Sequence, residues 1–232
     1  MTRMPDTSPH KLSRVRVLLV DDQPVVRERL EEVISKEPDL VVCGDADQPR
    51  GAFQLAEERK PDLIITGLCL KDSHGLEFIK DLQARWPAVK VLVFSMYDEL
   101  LYAERAIRAG ASGFVSKHET TQELLCAIRC VLSGRMYLSE RVSSYAASRF
   151  FARPSVTSKD ELLQLSDREI EIFELIGRGR TTREIASTLR LNLKTVQTYE
   201  MRIKTKLKVK TLTELARRAQ QSLQESVIRP RS

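Results

Sequence analysis

The chain has 232 residues, of which 42% are hydrophobic and 30% charged, and a formal net charge of +6. That balance supports a packed core and excludes wholesale disorder, and no apolar run reaches the roughly 18 residues needed to span a bilayer. Four cysteines without a CxxC pair and three scattered histidines exclude a disulfide scaffold, a zinc ribbon and a histidine-based metal site.

The length suits roughly one to two domains. Residues 1–13 lack an apolar signal core and are expected to form a disordered tail, so the chain reads as a cytoplasmic, basic, two-domain protein. Strand-like apolar runs then recur at 15–20 (VRVLLV), 40–44 (LVVCG), 62–67 (DLIITG), 90–94 (KVLVF) and 112–116 (SGFVS). Most are nearly uniform in hydrophobicity, as parallel strands covered on both faces must be. Amphipathic segments at 24–36, 48–59, 75–85, 100–109 and 120–132 alternate with them. Pro24 suits a first helical turn, and Gly110 follows the fourth helix as a stop. Alternation at this spacing predicts a doubly wound, five-stranded parallel α/β domain.

Ligands of such sheets gather outside the carboxyl ends of the strands, at the switch point. Strand one ends in Asp21-Asp22, strand four in Ser95, and strand five runs into Lys117. Adjacent carboxylates at a strand tip form a hard-oxygen site suited to Mg²⁺. Lys117 is placed to neutralise them or to hold an anionic group, with the Ser95 hydroxyl placed to donate to it.

The motifs LLVDD, then a serine before an apolar-to-polar break, then GASGFVSK, resemble the flavodoxin-like receiver domain of bacterial response regulators over roughly residues 14–137. The resemblance implies that Asp21 and Asp22 match the acidic pair, Ser95 the hydroxyl switch, Phe114 the aromatic switch and Lys117 the invariant lysine. It also implies a phosphoacceptor aspartate at the end of the third strand, followed by a Met-Pro pair and an Asp-Gly. This chain reads PDLIITGLCLKDSHGLE, with Gly67 at the acceptor position, Leu70-Lys71 for Met-Pro and His74 before Gly75.

Glycine supplies neither a nucleophile nor a carboxylate. The expectation is a degenerate receiver in which Asp21, Asp22 and Lys117 persist as a structural ion pair, with at most a weak Mg²⁺ site at Asp21 and Asp22. A sensor-kinase partner is thereby put in question. The alternatives left open are phosphorylation at an unusual acceptor, Asp72 or Asp21, and a non-DNA-binding modulator that acts by heterodimerisation.

Residues 138–159, rich in Ser and Arg, read as a linker with weak helical character around 142–151. Beyond it lies the excess positive charge: sixteen Lys and Arg against ten Asp and Glu from Lys159 onward. The excess gathers between Lys194 and Arg218, the footprint of phosphate-backbone binding. Within 160–225 four helix-period segments follow. Ser166 or Asp167 caps the first and Gly179 ends it, Thr181 or Thr182 caps the second, Asn192 precedes the third, and Thr211 or Thr213 opens the last.

Two short helices joined by a tight turn, the second one basic, make a helix-turn-helix. The motifs LSDRE, GRTTREIA, Thr195-Val196 followed by Tyr199, and KLKV resemble the LuxR-type DNA-binding domain, and both halves together resemble the NarL/FixJ family of response regulators. The resemblance implies a transcription regulator, not an enzyme, that binds double-stranded DNA as a homodimer through the last helix (212–223) or a receiver face. It places the third helix in the major groove with Lys194, Thr195, Gln197, Thr198, Met201, Arg202, Lys206 and Lys210 toward DNA. Gln197 suits adenine and Thr198 or Met201 a thymine methyl; Lys194, Arg202, Lys206, Lys210 and the Thr195 hydroxyl suit phosphates. Glu200 is expected to lean away from the groove or to pair with Lys204. Cys126 and Cys130 read as core residues, leaving Cys69 as the cysteine to test for reactivity. Residues 226–232 read as a tail.

Overall fold

The computed structural model describes residues 14–70, 73–151 and 161–227. The expected tail 1–13, the candidate acceptor Asp72, residues 152–160 and residues 228–232 lie outside them. The first domain runs β1 (Val15–Val20), α1 (Pro24–Ser35), β2 (Leu40–Ala46), α2 (Pro49–Arg59), β3 (Leu63–Thr66), β4 (Cys69–Leu70), β5 (Ser73–His74), α3 (Gly75–Arg85), β6 (Lys90–Ser95), α4 (Glu99–Ala109), β7 (Gly113–Ser116) and α5 (Thr121–Leu132). Five strands form one parallel sheet in the order β2-β1-β3-β6-β7, with Val20 beside Thr66 and Ser95 beside Ser116.

Alternation along the strands divides the core. Val17, Leu19 and Ile65 pack with Leu30, Ile34, Leu124 and Ile128 of α1 and α5. Leu18, Val20 and Ile64 pack on the other side with Leu76, Phe78, Tyr102 and Ala106, and that cluster continues into Ile170 and Phe173 of the second domain. The strand order reverses between β1 and β3, so their carboxyl ends open one crevice, flanked by Asp21 and Gly67.

Three features depart from expectation. Cys126 is exposed and Cys130 only half-buried, so neither is a core residue. A small antiparallel hairpin, β4 with β5, follows β3. The stretch read as a linker begins as a full helix, α6 (Glu140–Phe151), with Val142 buried. Arg141 on α6 reaches Glu99 at 3.4 Å and Asp98 at 3.8 Å, so packing against α4 continues past Tyr137.

The second domain contains α7 (Asp167–Gly177), α8 (Thr182–Thr188), α9 (Leu193–Lys206) and α10 (Leu212–Val227). Ser166 and Thr181 each form a reciprocal capping box, with Glu169 and Glu184, and Asn192 accepts from Thr195 N at 2.7 Å. These caps satisfy amides that have no partner within the helix, and each contributes about 1 kcal/mol. The turns after α7, α8 and α9 pass through left-handed residues, Gly179 (φ 76°), Arg190 (φ 51°) and Lys208 (φ 55°). Ile170, Phe173, Ile176, Ile185, Val196, Ile203, Leu207, Leu215 and Ala219 fill the core. At Gly177 a Cβ would stand 2.8 Å from the Ala219 carbonyl carbon, so only glycine permits this approach of α7 to α10.

Candidate functional site

The crevice at the switch point is filled by its own side chains. Asp21, 2% exposed, receives the Lys117 ammonium on Oδ2 at 2.6 Å and the Gln23 amide on Oδ1 at 3.0 Å. Gly67 makes room for this arrangement, because a Cβ there would lie 2.7 Å from Asp21 Oδ2. The carboxylate therefore leans across the place where an acceptor side chain would begin. Arg27 closes the rim, donating to the Asp21 carbonyl at 2.7 Å and to Asp45 at 2.6 Å.

Mg²⁺ does not fit this set of residues. Both Asp21 oxygens are engaged, the Lys117 cation already supplies the compensating charge, and Gly67 offers no carboxylate. Among the described residues no group of three His, Cys, Asp or Glu is disposed to hold a metal. Asp22 is half-buried beside this pair. The Ser95 hydroxyl oxygen accepts from Tyr97 N at 3.2 Å, whereas the Ser95 carbonyl accepts from Lys117 N at 2.8 Å. Phe114 is buried in the core on the α4 side.

In the second domain, α9 turns Val196 and Ile203 inward and leaves Lys194, Gln197, Met201 and Arg202 exposed, with Lys210 exposed just beyond it. Met201 is 58% exposed, far more than packing would leave an apolar side chain. Arg202 lies 5.8 Å from the Tyr199 ring centroid, a cation–π contact that steadies the guanidinium. Thr198 donates to the Lys194 carbonyl at 2.9 Å, which leaves its methyl for apolar contact.

Two expected roles are altered by the contacts, and for Glu200 the contacts choose between its two alternatives. The Thr195 hydroxyl proton goes to Asn192 Oδ1 at 2.8 Å, within the helix cap, and is not free to donate to a phosphate. Lys206 donates to Glu169 at 2.6 Å and to the Gln164 carbonyl at 3.2 Å, bracing α9 against the start of α7. That brace also holds the Glu169 carboxyl below its usual range, against the upward pull of burial. Glu200 is buried and accepts from the Thr182 hydroxyl at 2.8 Å, so it fastens α9 to α8 and not to Lys204.

Both halves have recognisable relatives. The family model for the response regulator receiver domain matches residues 17–129, and that for bacterial regulatory proteins of the luxR family matches residues 163–219. A putative transcriptional regulator of Pseudomonas aeruginosa is 35% identical over 201 residues, covering 86% of this chain and 94% of that protein. The nitrate/nitrite response regulator protein NarL of Escherichia coli is 32% identical over 200 residues, covering 86% and 92%. This chain belongs to the LuxR-family response regulators.

Among solved structures, a LuxR-family two-component response regulator from Aurantimonas sp. has a TM-score of 0.57 at 32% identity, covering 60% of this chain and 100% of its own. RcsB of Salmonella typhimurium has a TM-score of 0.70 at 20% identity, over 90% and 98% of the two chains, a likeness of fold. No helix of the described residues in this response regulator is long and apolar enough to cross a membrane.

A third locus of this LuxR-family regulator escaped the sequence reading: the seam between receiver and reader. Arg105 on α4 donates to Asp167 at 2.8 Å and to the carbonyls of Leu163 (3.3 Å) and Leu165 (2.6 Å), and Lys80 reaches Asp167 at 3.4 Å. Tyr97 and Tyr102 stack at 4.8 Å, and Arg178, which caps the end of α7, lies 5.1 Å over the Tyr97 ring. In REIEIFELIG, Glu171 and Glu174 share a helical face with Asp167 and Arg178, a charged stripe that the structure turns toward the receiver. Cys69 borders this seam. The residue is exposed, but desolvation by the surrounding protein, followed by the charge of Asp22, pushes its thiol pKa up, which is unfavourable to reactivity.

Proposed function

We propose that this LuxR-family response regulator acts on transcription by binding double-stranded DNA as a homodimer, with a receiver that does not run on aspartyl phosphate. The observation that carries the second clause is the Asp21 carboxylate lying across Gly67 and paired with Lys117. Phosphoryl transfer needs an oxygen nucleophile and a cation-binding carboxylate set, and here the first is absent and the second is spent on an internal ion pair. Control then rests on protein abundance, a partner or contacts between the domains, not on a sensor kinase.

The reading contacts are assigned to α9. Gln197 is matched to adenine by its paired donor and acceptor, and Met201 and the Thr198 methyl to thymine. Lys194, Arg202 and Lys210 neutralise phosphates; Thr195 and Lys206 are set aside because their polar groups are committed inside the module. Dimer contacts are assigned to α10, where Leu212 is left exposed, with half-sites about one helical turn apart or a multiple of it.

The test combines footprinting on genomic fragments with acetyl phosphate and Mg²⁺ treatment. The expected result is a protected, palindromic site whose occupancy is the same with and without the phosphodonor, and no covalent label. Labelling that raises occupancy, and that is lost on replacing Asp72 or Asp21, overturns the phosphate-independent reading while leaving DNA binding intact. Occupancy unchanged in a Lys194→Ala/Gln197→Ala variant overturns the assigned contacts.

A further inference from the structure

The seam between receiver and reader removes an acid from water. Glu174 on α7 is 3% exposed, and its Oε2 has no hydrogen-bond partner among the described residues. Its cationic neighbour, Arg178, keeps Nη2 4.0 Å away and lies over the Tyr97 ring. Across the seam, the Tyr102 hydroxyl on α4 is fully buried and likewise without a partner among the described residues. The two groups come from different domains and lie within electrostatic reach of each other.

The remaining charged neighbours are acids and arginines, with Glu171 held by Arg168 at 2.6 Å. Glu171 faces Glu174 from its own helix and Asp98 from the loop before α4. The Cys69 thiol on β4 lies behind Tyr97, and Arg105 on α4 beside Tyr102. Glu99 adjoins Asp98, and Arg141 of α6 reaches both. From α9 the cation that reaches α7 is Lys206, which goes to Glu169 instead. A carboxyl in such surroundings is more stable neutral than charged.

We propose that the contact between receiver and reader is a proton-operated latch, closed while Glu174 keeps its proton opposite Tyr102 and loosened when that carboxyl ionises. Burial lifts Glu174 to about 8 in the closed chain, with Asp98 and Glu171 adding to the lift and Arg178 opposing it. Opening returns the group to water and to the ordinary carboxylate value of 4.5. The closed form therefore binds the proton more tightly, and opening releases it. The closed-to-open ratio is greatest below pH 4.5, falls tenfold per pH unit as pH rises toward about 8, and is flat above that.

The experiment is small-angle X-ray scattering of the full chain from about pH 6 to about pH 9, with mass held constant, since one proton per opening sets the slope in that window. It is run on the wild type and in an Arg105→Ala background that weakens the seam and brings both forms into view. The radius of gyration is expected to rise with pH in the Arg105→Ala chain. Adding Glu174→Gln, which keeps the shape and abolishes the titration, is expected to give a pH-independent value.

Two milder changes act on the closed, ionised form, so they move the pH above which the radius levels off and leave the slope below it unchanged. Tyr102→Phe removes a hydroxyl within electrostatic reach of the ionised carboxylate and moves that plateau to higher pH. Asp98→Asn removes a negative neighbour, keeps an oxygen for the α4 cap, and moves it to lower pH. A radius that rises equally with and without Glu174→Gln overturns the latch, as does one that stays constant with pH in both wild type and Arg105→Ala. The measurement reads shape and not DNA occupancy, so its failure leaves the DNA-binding proposal untouched.

Discussion

Replacing Lys117 with methionine separates a structural pair from a phosphorylation site. The ammonium lies 2.6 Å from Asp21 Oδ2, with the two side chains 9% and 2% exposed. At an effective dielectric of about 20, unit charges at that distance attract by roughly 6 kcal/mol, and desolvation of the two ions offsets much of it. Removing one partner leaves Asp21 buried and uncompensated, a change that costs about 3 kcal/mol or more. The single tryptophan, Trp86, lies in the receiver against Phe53, so its fluorescence follows unfolding of that domain alone. With a denaturant slope of about 2 kcal/mol per molar, the urea midpoint should fall by roughly 1.5 M. The double variant Asp21→Asn/Lys117→Met should recover to within about 1 kcal/mol of the wild type, since a neutral amide carries no stranded charge. A loss below about 1 kcal/mol in Lys117→Met, or its rescue by Mg²⁺, would refute the internal-pair reasoning, because a cation site would then exist where the pair is drawn.

Other consequences can be checked separately. Lys194→Ala should weaken DNA binding and lower the salt slope by about 1, whereas Lys206→Ala should leave the slope unchanged and destabilise the reader by about 1–3 kcal/mol through the stranded Glu169. Gel shifts across a salt series and thermal melts distinguish the two. Thr182→Val should also cost about 1–3 kcal/mol by removing the donor to buried Glu200, with Glu200→Gln in the same background returning part of it. Cys69 is exposed, yet the surrounding protein and the charge of Asp22 push its thiol up, so it should be reached by an alkylating reagent but react several-fold more slowly than a free thiol at pH 7.5, as read by mass spectrometry of the modified peptide.

The sheet and its helices were legible because apolar runs and 3.6-residue stripes report burial directly, and burial is what assembled them. The β4–β5 hairpin was not, because two-residue strands have no period and Ser73-His74 sit in a polar run. Gly179 announced its turn; Arg190 and Lys208 did not, since their left-handed backbone is imposed by the packing of the helices they join. At the crevice, the residue types of Asp21, Gly67 and Lys117 were readable, but not that the carboxylate leans into the space above the glycine. On α9 the helical wheel gives direction and no more. Lys206, next to Ile203 and Leu207, and Thr195, one turn from the cap, lie at the margin where a neighbour decides the role. Glu174 shares a charged helical face with Asp167, Glu171 and Arg178 and so reads as solvent-facing; its counterpart Tyr102 is 72 positions earlier and only the docked domains bring the two together.

The Arg105 fork carries a lesson for engineering. One guanidinium from the receiver grips two backbone carbonyls and a carboxylate at the threshold of the reader. A chimaera that transplants a foreign output module by cutting in the preceding segment would keep the arginine and discard what it holds. Crossovers that carry residues 163–178 together with α4 preserve the joint, and hybrid sensors built from this regulator should be spliced with that unit intact.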